Sequence, residues 1–145
     1  MERVTIPLYY CKSRIPLVMF RLGEDTKYIG IIDTGSEVSM FDHSLKGCGV
    51  SSAEADEETS FVGVNGESDS GRIRRVGATV NFKQKNGELC PVEACGVYYD
   101  FTNLKEVFTR RTGKDMPVVA IFGSDFLKEY NAKIDYRSKV LIIDN

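Results

Sequence analysis

The residues best suited to chemistry are Asp33-Thr34-Gly35-Ser36, which follow directly on the apolar run Tyr28-Ile29-Gly30-Ile31-Ile32. Alone, an Asp-Thr-Gly triplet is an ordinary turn. At the end of a buried strand it carries more weight, because a carboxylate there is costly unless its ionised form is hydrogen-bonded or shared. Thr34 and Ser36 supply hydroxyls, and Gly35 lets backbone approach closely. The tetrapeptide is shaped to hold a carboxylate ready for use.

Other chemistries find less support. Cys11, Cys48, Cys90 and Cys95 share the chain with one histidine, His43. Cys90 and Cys95 are a close pair with no second pair nearby, and the spacing matches no usual zinc module. Metal-dependent hydrolysis lacks its histidines, so no metal is assigned. Gly63, Gly66 and Gly71 suggest a phosphate loop, but no Lys-[Ser/Thr] follows and no strand-to-helix context surrounds them. Asp69-Ser70-Gly71 repeats the triplet pattern after polar Gly66-Glu67-Ser68 rather than after an apolar strand, and reads as part of a hairpin.

The elements that must position Asp33 are mostly strands and turns. Strands are predicted over 4–10, 15–22, 28–32 and 38–41, with a helical turn at 42–45. Residues 51–60, polar and acidic, read as a solvated loop. Phe61 to Glu67 contains Asn65-Gly66, a strong hairpin signal, and 71–82 alternates as a strand. Asn86-Gly87 turns the chain into 89–97. Thr102 to Arg111 reads as a helix with Leu104, Val107, Phe108 and Arg111 on one face, Thr102 as cap and Gly113 as stop. The apolar strand 118–122 then leads to a second helix over 124–131, with Ser124 as cap and Asn131 as left-handed terminator. A hairpin of 132–136 and 140–143 ends the chain.

Composition sets the outer limits. The chain has 145 residues, 42% apolar and 28% charged, with a net charge of −2 from 19 basic and 21 acidic side chains. That is one globular domain without a basic face for nucleic acid or an apolar run of the roughly 20 residues a membrane span needs. Met1 to Pro7 has no long apolar region and no cleavage site, so a cytoplasmic protein with reduced thiols is expected.

Three features in order resemble the retropepsin-like aspartic proteases: Asp33-Thr34-Gly35-Ser36, the glycine-bearing hairpin at 61–67, and Ile121-Phe122-Gly123-Ser124-Asp125-Phe126-Leu127. The similarity runs from about Ile15 to Ile143. It implies a mainly β fold, a single-lobe closed β-barrel with one or two short helices. Residues 1–145 form one such domain, with a flap hairpin at about 60–82, a helical insertion at about 101–112 and a C-terminal helix at about 124–131. Asp69 lies too close to Asp33 for a second lobe to intervene, so the second carboxylate is expected from Asp33 of another subunit.

The resemblance also implies function. Two like-charged carboxylates a few ångströms apart share one proton. The ionised one draws a proton from a water that attacks the peptide carbonyl, and its partner polarises that carbonyl. No cofactor is required. The expected partners are a second copy and an extended peptide or protein substrate, with neither nucleic acid nor membrane. Thr34 would lock the two loops, Gly35 would lie against the substrate, and Ser36 would donate to the carboxylate. Val62, Gly63, Val64, Asn65 and Gly66 would form the flap, while Ile32, Val119 and Ile121 would line apolar subsites or serve as simple core. Glu37 stands where the family usually has Asp, and Ser124 where retroviral enzymes commonly carry Arg. Val4 to Tyr10 and Val140 to Ile143 would form an intersubunit sheet or pair within one chain. The alternative is a catalytically inactive dimerisation or peptide-binding module on the same barrel.

Overall fold

The computed structural model describes residues 2–10, 14–23, 26–62, 68–115 and 117–145, with backbone alone at 53–62 and 68–74. In chain order the strands are β1 (Arg3–Pro7), β2 (Leu17–Arg21), β3 (Lys27–Ile32), β4 (Met40–Asp42), β5 (Val50–Val62), β6 (Ser68–Lys83), β7 (Leu89–Tyr99), β8 (Val118–Phe122), β9 (Lys133–Asp135) and β10 (Val140–Asp144). Two helices, α1 (Thr102–Thr112) and α2 (Ser124–Glu129), flank β8 in sequence. Among the described residues no helix is long and apolar enough to cross a membrane.

Six strands close a barrel in the order β2-β3-β8-β4-β7-β6, with the ring completed by Phe20 against Phe82 and Arg21 against Asn81. β8 runs parallel to β3 and antiparallel to β4, and all five of its residues are buried. Such double-sided burial is why Val118 to Phe122 reads as one unbroken apolar run. A second sheet, β1-β10-β9, places Val4, Ile6, Leu141 and Ile143 in the barrel's own core. β1 and β10 pair with each other inside one chain, Arg3 opposite Asp144 through Pro7 opposite Val140.

Residues 51–60 correct the sequence expectation: they belong to β5 rather than to a loop. β5 pairs along β6 from Val50 opposite Ala78 to Val62 opposite Ser68, with a register shift between Ser52 and Asp56. Backbone pairing to a neighbouring strand overrides the low strand propensity of Glu and Asp. Asp69-Ser70-Gly71 lies within β6, opposite Thr59 to Phe61, as hairpin rather than active-site loop.

The core centres on Phe122. Its ring meets Phe20 edge-on at 5.6 Å, Phe82 at 5.4 Å and Phe41 at 6.3 Å, all preferred aromatic geometries. A smaller cluster joins Leu17, Ile31, Met40, Val118 and Ile121 to Phe101 and Phe108, with Leu104 packed alongside, so α1 covers an outer face of the barrel. Gly113 stops α1 at φ 71°, and Asn131 follows α2 at φ 47°. The caps differ from expectation. Phe101 rather than Thr102 holds the capping position of α1, with Asp100 just before it accepting the Thr102 N–H at 3.0 Å and hydroxyl at 2.6 Å, and Gly123 rather than Ser124 is the capping residue of α2.

Asp42 fastens α1 to the barrel. Its carboxylate accepts the Phe101 N–H at 2.9 Å, the Lys105 ammonium at 3.2 Å and both donors of Ser44. Burial pushes this carboxyl up, but the hydrogen bonds from Ser44, Phe101 and Lys105 outweigh it and hold it below the usual carboxylate range. The stabilisation is complete above the unfolded value of about 3.9 and is lost as pH falls through the lower folded value. Urea titrations should therefore find Asp42→Asn about 2 kcal/mol less stable at neutral pH, with the gap closing below about pH 4.

Candidate active site

Asp33 follows the last residue of β3, where the barrel strand runs out into a loop. Its N–H donates to the Phe122 carbonyl at 3.0 Å, which binds the loop to the end of β8. Its side chain is half-buried, and Oδ1 accepts the Gly35 N–H at 2.9 Å. Thr34 and Gly35 are exposed. A Cβ on Gly35 would meet Asp33 Oδ1 at 3.3 Å, so glycine leaves space beside the carboxylate.

Ser36 departs from its expected role. The side chain is buried and its hydroxyl donates to the Val38 carbonyl at 2.8 Å. A hydroxyl carries one proton, so Ser36 has none left to give Asp33. Its work is to shape the loop. Its carbonyl accepts the Ser124 N–H at 2.7 Å, a further tie to the start of α2.

Two residues given no role from sequence complete this junction. Ser39, fully buried, donates its N–H to Asp125 at 3.0 Å and its hydroxyl to Asp125 at 2.7 Å. Ser39 Oγ in turn accepts the Gly123 N–H at 3.0 Å, and Asp125 also accepts the Phe126 N–H at 2.8 Å. The available signal was a serine inside the apolar stretch Val38 to Phe41, together with an acid in the first turn of a short helix.

Two concave surfaces flank the loop. A cavity of about 330 Å³ is lined by Asp33, Thr34, Ile31 and Ile32, by Val107 and Phe108 of α1, and by Arg14 and Arg111. A groove of about 520 Å³ lies between Thr34, Ser124, Leu127, Ile134 and Tyr136. Tyr136 borders both and is 62% exposed. Of the expected subsite residues, Ile32 lines the cavity beside Asp33. Val119 and Ile121 are buried in the two core clusters and do not line that cavity. Glu37 is exposed, and Val62 ends β5 with its side chain outside the described residues. Gly63, Val64, Asn65 and Gly66 also lie outside the described residues.

A solved structure sets this arrangement in context. The retroviral protease-like domain of Ddi1 from Leishmania major matches with a TM-score of 0.50 at 19% identity, over 98% of this chain and 90% of that one. The fold is retropepsin-like. No protein-family model and no curated protein matches the chain. The retropepsin-like barrel thus has an Asp-Thr-Gly loop at the end of β3, tied by backbone hydrogen bonds to β8 and α2.

Gly123 is tightly packed at that junction. A Cβ there would lie 2.6 Å from the Ser36 carbonyl oxygen and 3.0 Å from the Val38 carbonyl. Gly123→Ala should cost about 3 kcal/mol through overpacking against backbone. Ser36→Ala, which removes the hydroxyl donor to the part-buried Val38 carbonyl, should cost about 1 kcal/mol. Thermal denaturation of the two variants checks the order.

Proposed function

We propose that the chain is an aspartic endopeptidase that works as a homodimer, with Asp33 of each subunit forming one site. The observation that carries this reading is a half-buried Asp33 carboxylate, fixed by the Gly35 N–H and opening onto a cavity at the end of a barrel strand. Asp69, the acid of the other Asp-[Thr/Ser]-Gly sequence, sits inside β6, so the second carboxylate comes from a second copy. The groove between Thr34, Leu127, Ile134 and Tyr136 offers a partly apolar surface beside Asp33 for that copy. Ddi1's domain, described as retroviral protease-like, has the same fold and supports the assignment by analogy.

In the dimer, the two Asp33 carboxylates hold one proton between them, because like charges at short range do not both ionise. The ionised carboxylate takes a proton from the attacking water while the protonated one donates to the substrate carbonyl. Thr34 joins the two loops, and Gly35 leaves room for peptide backbone. The flap expected from the sequence at Val62, Gly63, Val64, Asn65 and Gly66 would close over the extended peptide.

Mass-spectrometric profiling of a diverse peptide mixture between pH 3.5 and 7 tests this reading. The wild type should cut, and Asp33→Asn should lower the rate by about 10³-fold. A folded, dimeric wild type that cuts nothing would identify an inactive peptide-binding module instead.

A further inference from the structure

The face of α1 that carries Leu104, Val107, Phe108 and Arg111 lines the cavity that contains Asp33. Leu104 and Phe108 also pack into the cluster that holds Ile31 and Ile121. Val107 and Arg111 lie one turn apart on that face. Arg14 reaches the same cavity from the segment before β2. Both arginines are exposed, and neither is paired with a carboxylate among the described residues. The cavity lining therefore combines apolar Ile31, Val107 and Phe108 with two guanidinium groups that have no carboxylate partner among the described residues.

Among the described residues Asp33 is the one carboxylate lining the cavity, so an unassisted anionic ligand would be repelled from it. Two arginines reverse that balance. The guanidinium fork suits carboxylates, which it binds with paired charge-assisted hydrogen bonds. Arg111 stays there at little cost, because a cation is favoured in the last turn of a helix.

We propose that this cavity makes the protein selective for peptides with an apolar side chain and an acidic residue two positions away. The apolar group fills the space between Ile31, Val107 and Phe108. In an extended peptide, residues two apart lie on the same face, which brings the acid to Arg14 and Arg111. The inference rests on the peptide-binding part of the proposed function and names its substrate class. It makes α1 a specificity element as well as a packing element.

Binding to the Asp33→Asn protein tests it without requiring cleavage. Fluorescence anisotropy compares two labelled peptides that differ by Glu or Gln two positions from a Phe. The Glu peptide should bind about tenfold tighter, and the preference should vanish when Arg14→Gln and Arg111→Gln are added. Arg111→Glu should reverse it. Equal binding of the two peptides, or a preference that survives the double substitution, overturns the proposal. So does sedimentation showing that the double substitution dissociates the dimer, since the arginines would then serve the partner subunit. A Glu preference in a protein whose wild type cuts nothing would sink the protease reading and keep this one.

Discussion

The structure depends on one crossing, where the loop after β3 meets the turn between β8 and α2. Backbone groups of Asp33 and Ser36 bond to Phe122 and Ser124, and Ser39 bonds to Gly123 and Asp125. These contacts join segments far apart in sequence, so each costs loop entropy that local structure does not. They are worth that cost because they satisfy buried polar groups which the barrel end would otherwise leave without partners. The charged member, Asp125, accepts two of these hydrogen bonds, both from Ser39, and so gives the junction its strongest links.

The crossing also explains the order of the chain around it. Phe122 fills the centre of the core with its ring while its carbonyl holds Asp33. Gly123 must follow, because no side chain fits against Ser36 and Val38. The loop carrying Asp33 is thereby fixed to β8, a strand buried at every residue, with Thr34 and Gly35 left exposed. A carboxylate held this way suits a reaction in which its position must be set before substrate arrives.

Much of this was legible in the sequence because it rests on local chemistry. The apolar run 118–122, the stop at Gly113, the left-handed Asn131 and the Asn86-Gly87 turn all declare themselves through side-chain type alone. What was not legible depends on partners distant in sequence. β5 is held as a strand by β6, against its own acidic composition. The Ser36 hydroxyl has two acceptors within reach of its motif, and loop geometry gives its proton to Val38 rather than Asp33. Ser39 and Asp125 are unremarkable until the barrel brings them together. Likewise, Arg14 and Arg111 share a cavity only because α1 folds back over β3.

The central claim, that one active site needs two copies of Asp33, is tested most directly by subunit mixing. Wild-type protein is exchanged with Asp33→Asn protein at constant total concentration, and peptide hydrolysis is followed as the wild-type fraction falls. If both carboxylates are required, activity falls as the square of that fraction, and an equal mixture retains about a quarter of the wild-type rate. A linear fall, with about half the rate in the equal mixture, would show that one Asp33 suffices and would contradict the shared site.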